Sequence, residues 1–191
     1  MSMPLFPLNS VLCPKGRIPL QLFEHRYIDM LSSCLKTGQG FVLVLLQDGK
    51  DTDTHVRFYA TGTSVFIQDF NQLPNGMLGI TVEAIEKVAV TSVSQNDTGL
   101  HSGTVTVLAE EPYQTLPSGF DDLVSLLQRL MAYPAVSELN MDVDWQDARH
   151  IGWRLTELLP VSKHDKQRLL ELDDPIVRLQ QIDELLDLLG S

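Results

Sequence analysis

Positive charge and cysteine are what this sequence has least of. Fourteen Lys and Arg stand against twenty-five Asp and Glu, a net of −11 over 191 residues, and the basic residues form no cluster. Nucleic-acid binders neutralise phosphates with a basic stripe, so the balance argues against a general affinity for DNA or RNA. An anionic membrane surface would repel the chain as well. Cys13 and Cys34 form neither a C-x-x-C pair nor a ligand set with nearby histidines, which leaves zinc and thioredoxin-like chemistry without support. A disulfide between them stays open, though a chain of this size hardly needs one and the reduced cytoplasm is the simpler compartment. The N-terminus, Met-Ser-Met-Pro-Leu-Phe-Pro-Leu, lacks the basic and apolar regions of a signal peptide, and the longest aliphatic-aromatic run, Phe41 to Leu46, is far too short to span a bilayer. A soluble cytoplasmic protein is expected.

The motifs of nucleotide and hydrolytic chemistry are missing too. No glycine-rich loop ends in Gly-Lys-Ser/Thr, and there is no G-x-G-x-x-G, H-E-x-x-H or G-x-S-x-G. Ser33-Cys-Leu-Lys36 and Lys36-Thr-Gly38 match two patterns of penicillin-recognising enzymes, but they share one lysine where those enzymes need two. Asp51-Thr-Asp-Thr-His55 gathers oxygen and nitrogen ligands as a metal loop does. It lacks the glycine and the closing glutamate of a calcium site, and reads as a solvated hairpin tip. Asn96-Asp-Thr98 is a glycosylation sequon, meaningful only in a secreted protein. The five histidines are scattered. No catalytic residue, metal site or cofactor is expected.

What is present is order. Leu20 and Leu22 alternate as in a strand, whereas Phe23, Tyr27, Met30, Leu31, Cys34 and Leu35 recur at helical spacing, so a strand-to-helix junction falls between them. Glu24 and Arg26 predict an ion pair at that corner, with Glu24 reaching helix-start amides. The helix is expected from about Glu24 to Lys36, with Gly38 or Gly40 as a left-handed cap. Met3–Leu8 reads as a short strand that Pro4 and Pro7 restrict to an edge or to irregular extended structure; Asn9–Arg17 reads as a loop. Phe41–Leu46 implies a strand buried on both faces. After a polar loop from Gln47 to His55, Phe58–Phe70 alternates. Leu73-Pro-Asn-Gly76 signals a hairpin, and the long partner strand from Leu78 slips phase at Ala84-Ile85, predicting a bulge. Asn96–Gly99 makes another turn before a last strand, Gly103–Ala109. About six strands with one early helix predict a small closed or nearly closed barrel.

Two prolines and a glycine in Glu111–Gly119 end the strand pattern, and the rest reads as helices. One begins at Asp121 and carries Leu123, Leu126, Leu127, Leu130 and Met131 on one face. A second begins near Asp144 with Trp145, Ala148, Gly152, Leu155 and Leu159 inward. A third follows Ser162-Lys-His-Asp165, a capping-box pattern with Asp for Glu. The last follows Asp174-Pro175 with Ile176, Leu179, Ile182, Leu186 and Leu189 as its stripe. The expected division is α+β: residues 1–112, 113–119 as a linker, and 120–191.

Pro4-Leu-Phe-Pro-Leu8, Val11-Leu12, Pro14, Pro19-Leu20, Phe23-Glu24, Arg26-Tyr27 and Met30, in that order and spacing, resemble the opening of the N-terminal domain of Lon proteases. The match continues through Gly62-Thr63, Leu73–Gly76, Glu111-Pro-Tyr113, Trp153-Arg154, Leu158-Leu-Pro160, Lys166-Gln-x-Leu-Leu170, Asp174-Pro175 and Arg178-Leu179. It departs at Cys13-Pro14-Lys15-Gly16, where that family has Phe-Pro-Gly. The resemblance implies a PUA-like β-barrel followed by a helical bundle, and a free-standing substrate-recognition domain with neither the ATPase nor the peptidase. It implies a non-catalytic role in binding unfolded or partly folded polypeptides, alone or as an adaptor to a separate ATPase or protease, in a groove between barrel and helices. Phe23, Tyr27, Tyr113 and Trp153 are the candidate anchors, with Glu24, Arg26 and Arg154 as polar neighbours. The competing expectations are a PUA-like RNA or nucleotide reader using Arg17 or Arg57, and a small hydrolase whose residues assemble only in space.

Overall fold

The computed structural model describes residues 1–48, 56–74 and 77–190. The loop Asp51–His55 and the turn residues Asn75 and Gly76 therefore lie outside the described residues. The chain is α+β, and its Cα packing divides it into two compact units, Met1–Ala109 and Glu110–Ser191.

The first unit holds β1 (Ser2–Leu8), β2 (Arg17–Leu22), α1 (His25–Thr37), β3 (Phe41–Asp48), β4 (Arg57–Phe58), β5 (Thr61–Gln72), β6 (Leu78–Gln95) and β7 (His101–Val107). Strand order is β1-β7-β6-β5-β3-β4, and β1 also pairs with β3, so the pairings β1, β7, β6, β5 and β3 form a closed cycle. β1 is thus not an edge. It hands over from one neighbour to the other: Ser2–Pro4 pair with β7 and Leu5–Leu8 with β3. Each proline sits where only one flank is paired, which is what makes its missing donor tolerable.

The uninterrupted apolar run of β3 serves two clusters at once. Phe41 and Leu43 join Phe6, Leu22, Tyr27, Met30, Leu31 and Val82 on one face. Val42 and Val44 join Leu5, Val88, Val90 and Val105 on the other. Each buried aliphatic or aromatic side chain contributes about 1.5–3 kcal/mol, which explains why no polar residue interrupts Phe41–Leu46.

β6 carries the expected bulge. Ser64 pairs with Glu86 and Val65 with Ala84, leaving Ile85 as the extra residue. Its first half also pairs with β2, and its second half with β7. A second bulge lies near Ser92, whose φ is +50°. Gly38 is the left-handed cap of α1. Gly40 is required for another reason: a Cβ there would lie 1.9 Å from the Val65 carbonyl oxygen. In the first loop the left-handed residue is Lys15, at φ +63°. It is held by Lys15 N–H to Ala84 O (3.0 Å) and Ala84 N–H to Gly16 O (2.8 Å).

The second unit contains α2 (Asp121–Met131), α3 (Pro134–Ser137), α4 (Ala148–Leu158), α5 (Lys163–Glu171) and α6 (Pro175–Gly190). Leu123, Leu127, Ala148, Ile151, Leu155, Leu159, Leu169, Leu179 and Ile182 form its core. Pro134 starts the short α3, at a position where its missing N–H costs nothing. α4 begins at Ala148, four residues after the expected start near Asp144, because Asp147 is the N-cap, its carboxylate accepting the Arg149 N–H at 2.9 Å. Trp145 therefore precedes the helix and is exposed rather than inward. Ser162 caps α5 by accepting the Asp165 N–H at 3.1 Å, and Asp174 caps α6 by accepting from Ile176 N–H at 2.8 Å. Leu189, expected on the inward stripe of α6, is exposed. Residues 110–116 pack with the helices: Leu116 N–H reaches Gln146 O and Ala148 N–H reaches Gln114 O.

Candidate functional site

At the strand-to-helix corner of the first unit, β2 ends at Leu22 and Glu24 is the N-cap of α1 in extended conformation. Its side chain makes no cap hydrogen bond, contrary to expectation. The carboxylate goes instead to Arg26, accepting Nε–H at 2.9 Å, with the terminal Nη2 2.8 Å away. Arg26 is buried, lies over the Tyr27 ring at 4.7 Å and donates to the Gly99 carbonyl at 2.8 Å, tying the corner to the β6–β7 turn. Tyr27 is buried against Phe6, ring centroids 4.5 Å apart. Phe23 is the exception. The helix starts only at His25, so the helical phase does not reach Phe23, which is 68% exposed. Leu35, also counted on the inner face, is exposed.

In the second unit three sequence fragments converge on one buried ion pair. Glu111 accepts from both terminal nitrogens of Arg178 at 2.7 Å, and its Oε1 also accepts the Trp153 indole N–H at 3.3 Å. Arg178 donates its Nε–H to Leu169 O at 2.9 Å and also binds Leu172 O. The two side chains are 0% and 1% exposed. Buried charges are tolerated only when paired and fully hydrogen-bonded, and this pair is. Arg149 adds a second layer, chelating Asp147 at 2.8–3.2 Å, donating to Glu111 O at 2.9 Å and lying 5.7 Å from the Tyr113 and Trp153 ring centres. The bond to Asp147 holds its guanidinium more firmly protonated than usual. Burial lowers the affinity of His150 for a proton, against the opposing pull of Asp147, and its Nδ1 accepts the Asp144 N–H at 3.1 Å. Arg154 is buried and bonded to Glu157 Oε1 at 3.1 Å.

Of the seven candidate residues, Phe23, Glu24, Arg26 and Tyr27 thus lie together in the first unit, and Tyr113, Trp153 and Arg154 in the second. Phe23 and Tyr113 (55% exposed) present their rings outward, Glu24 is half-buried, and the other four are buried. Sequence reasoning did not single out Arg178 or Arg149 as site residues. Their signal was only that Arg178 stands on the inward side of a helix, next to Leu179. Arg17, one of the two arginines named for the RNA-reading alternative, is paired with Glu83 at 2.6 Å. Among the described residues, no group of three or more His, Cys, Asp or Glu is placed to hold a metal ion, and no helix is long and apolar enough to cross a membrane.

These features define an α+β protein of two units in which Arg26, Arg154 and the Glu111–Arg178 pair are buried while the rings of Phe23 and Tyr113 are exposed. The chain belongs to the family described as the ATP-dependent protease La (Lon) substrate-binding domain, which it matches over residues 2–187. It is similar to the crystal structure of a Lon N-terminal domain protein from Xanthomonas campestris, with 34% identity, a TM-score of 0.78, and coverage of 95% of this chain and 96% of that one. The N-terminal domain of the Mycobacterium avium complex Lon protease shares the fold, with a TM-score of 0.65 over 96% of this chain and 97% of that one, at 16% identity. The Lon protease of Solibacter usitatus is 25% identical over 97% of this chain. The chain spans about a quarter of the length of the curated relatives it matches, 24% in that case.

Proposed function

We propose that this chain is a non-catalytic polypeptide-binding module that engages exposed apolar stretches of unfolded or partly folded proteins in the cytoplasm. One observation carries the reading: residues 2–187 match the substrate-binding domain of Lon, the part of that protease named for recognition. The closed pairing cycle is read as a PUA-like β-barrel, followed by a helical bundle. The contacts are assigned to Phe23 in the first unit and Tyr113 in the second, since outward-facing aromatics supply most of the energy in such surfaces. Arg26, Tyr27 and Glu24 hold the backbone that presents Phe23; Trp153 and Arg154 belong to the framework that presents Tyr113. A separate ATPase or protease is a natural second partner for such a module.

Calorimetric titration with a reduced, alkylated model protein tests this. Saturable binding is expected with the unfolded form and none with the native form. No heat at high micromolar concentration would sink the proposal.

A further inference from the structure

We infer that the free side of β5, from Ile67 to Gln72, takes an extended polypeptide segment as an added strand, with alternate apolar side chains and a Lys or Arg facing Asp69. This rests on the polypeptide-binding reading and narrows it to one sheet edge.

The Leu78–Ala89 part of β6 pairs with β5 from Thr61 to Gln72, apart from the bulge residue Gln68. On the opposite side β3 covers only Thr63, Ser64 and Val65. Gly40 lies beside Val65 and Phe66, and beyond them, among the described residues, no strand pairs with that side of β5. An unpaired strand side presents backbone donors and acceptors that template another chain. Most residues of this stretch are exposed, including Phe70 at 57%.

The register shows what the added side chains would meet. Ile67 pairs with Val82 and Asp69 with Thr81, so Gln68 is an extra residue that reverses the alternation. Phe66 and Phe70, which plain alternation would place together, therefore stand on opposite faces. Phe70 lies opposite Ile80, and Ile80 opposite Leu20. Leu20 and Ile80 are buried while Phe70 is not. This apolar row ends one strand short of cover, and an apolar side chain on a neighbouring strand would extend it.

The other face selects charge. Asp69 Oδ1 accepts the Phe70 N–H at 2.8 Å, so that one amide is bonded by the neighbouring side chain. A carbonyl of an incoming strand can replace that acceptor, freeing the carboxylate to meet a cation. A second copy of this chain would bring Asp69 to the contact and set −11 against −11; a cationic, unstructured partner is the complementary occupant.

The test uses the full chain and a fluorescent peptide of alternating valine and threonine with lysine at each end. Binding is expected to slow amide exchange at Ile67–Gln72. N-methylating alternate peptide residues on the edge-facing side should weaken it roughly tenfold or more, equivalent to one or more lost backbone hydrogen bonds. Phe70→Lys, at an exposed position checked by its unchanged melting temperature, should weaken it comparably, and Asp69→Asn should erase the preference for lysine over glutamate at the peptide ends. If the N-methylated peptide binds equally well, or exchange at Ile67–Gln72 is unchanged, the edge assignment is overturned while polypeptide binding stands. If neither this peptide nor the unfolded model protein binds, the proposed function falls with it. A dimer in sedimentation that Phe70→Lys dissociates would give the edge to a second copy and overturn the inference.

Discussion

Glu110 and Glu111 are neighbours, each paired with an arginine, and burial separates their consequences. Glu111→Gln keeps the shape and one acceptor but removes the charge facing Arg178, whose side chain is 0% exposed. The guanidinium keeps its bonds to Leu169 O and Leu172 O and has no counter-charge. Breaking one side of a buried pair costs about 3–5 kcal/mol. A unit of about eighty residues has a total stability of roughly 4–12 kcal/mol, so this single change removes a large part of it. Glu110, by contrast, is 88% exposed and 3.2 Å from Arg149, and Glu110→Gln is expected to cost no more than about 1 kcal/mol. The assay is convenient because both tryptophans, Trp145 and Trp153, lie in the second unit. Their fluorescence during urea unfolding reports on that unit alone. With a slope near ~1 kcal/mol/M for its size, Glu111→Gln should move the midpoint down by about 3 M or leave no folded baseline. A Glu111→Gln variant within about 1 kcal/mol of wild type, or a Glu110→Gln variant equally damaged, would refute the claim that burial decides the outcome.

Lys15 holds a left-handed backbone conformation, so Lys15→Gly should stabilise the first unit by up to about 1 kcal/mol; a lower midpoint in far-UV circular dichroism would contradict this. Burial depresses the proton affinity of His150, so the unfolded chain binds more protons in that range. The His150 contribution to stability is therefore fully present above the ordinary histidine range near 6.5 and is lost as pH falls from there through the lower folded value. An NMR titration should find His150 protonating below 6.5 and the Asp144 amide shifting with it; a value at or above 6.5 would count against the observed acceptor role of Nδ1. Phe23→Ser and Tyr113→Ser should each weaken binding of an unfolded model protein about tenfold, the scale of one anchor residue, with no drop in melting temperature. A large loss of stability instead would show that these rings are packing.

Much of the fold was legible because local periods change where elements change. The switch from alternation at Leu20 and Leu22 to helical spacing at Tyr27, Met30 and Leu31 marks the junction, and Asn96–Gly99 and Asp174-Pro175 mark their turn and cap by chemistry. Phase was harder to extend beyond an element's true start. Phe23 and Trp145 each fit a helical stripe numerically, but α1 begins at His25 and α4 at Ala148, so neither residue belongs to the rotation that spacing assigned to it. The proline-containing β1 reads in sequence as an edge or as irregular extended structure, because a strand that changes partner midway has the same local sequence as one with a single partner.

The least legible feature was the role of the charged motif residues. Glu111 meets Trp153 across 42 positions and Arg178 across 67, distances over which no periodicity operates. Taken one fragment at a time, each resembles a contact residue; together they form a buried network of hydrogen bonds among themselves and to the backbone. The proposed recognition is therefore assigned to exposed aromatics, whose rings the chain leaves uncovered. Phe23, Tyr113 and Phe70 look in sequence like any core aromatic until the start of α1, the course of residues 110–116 and the bulge at Gln68 fix which way each one faces.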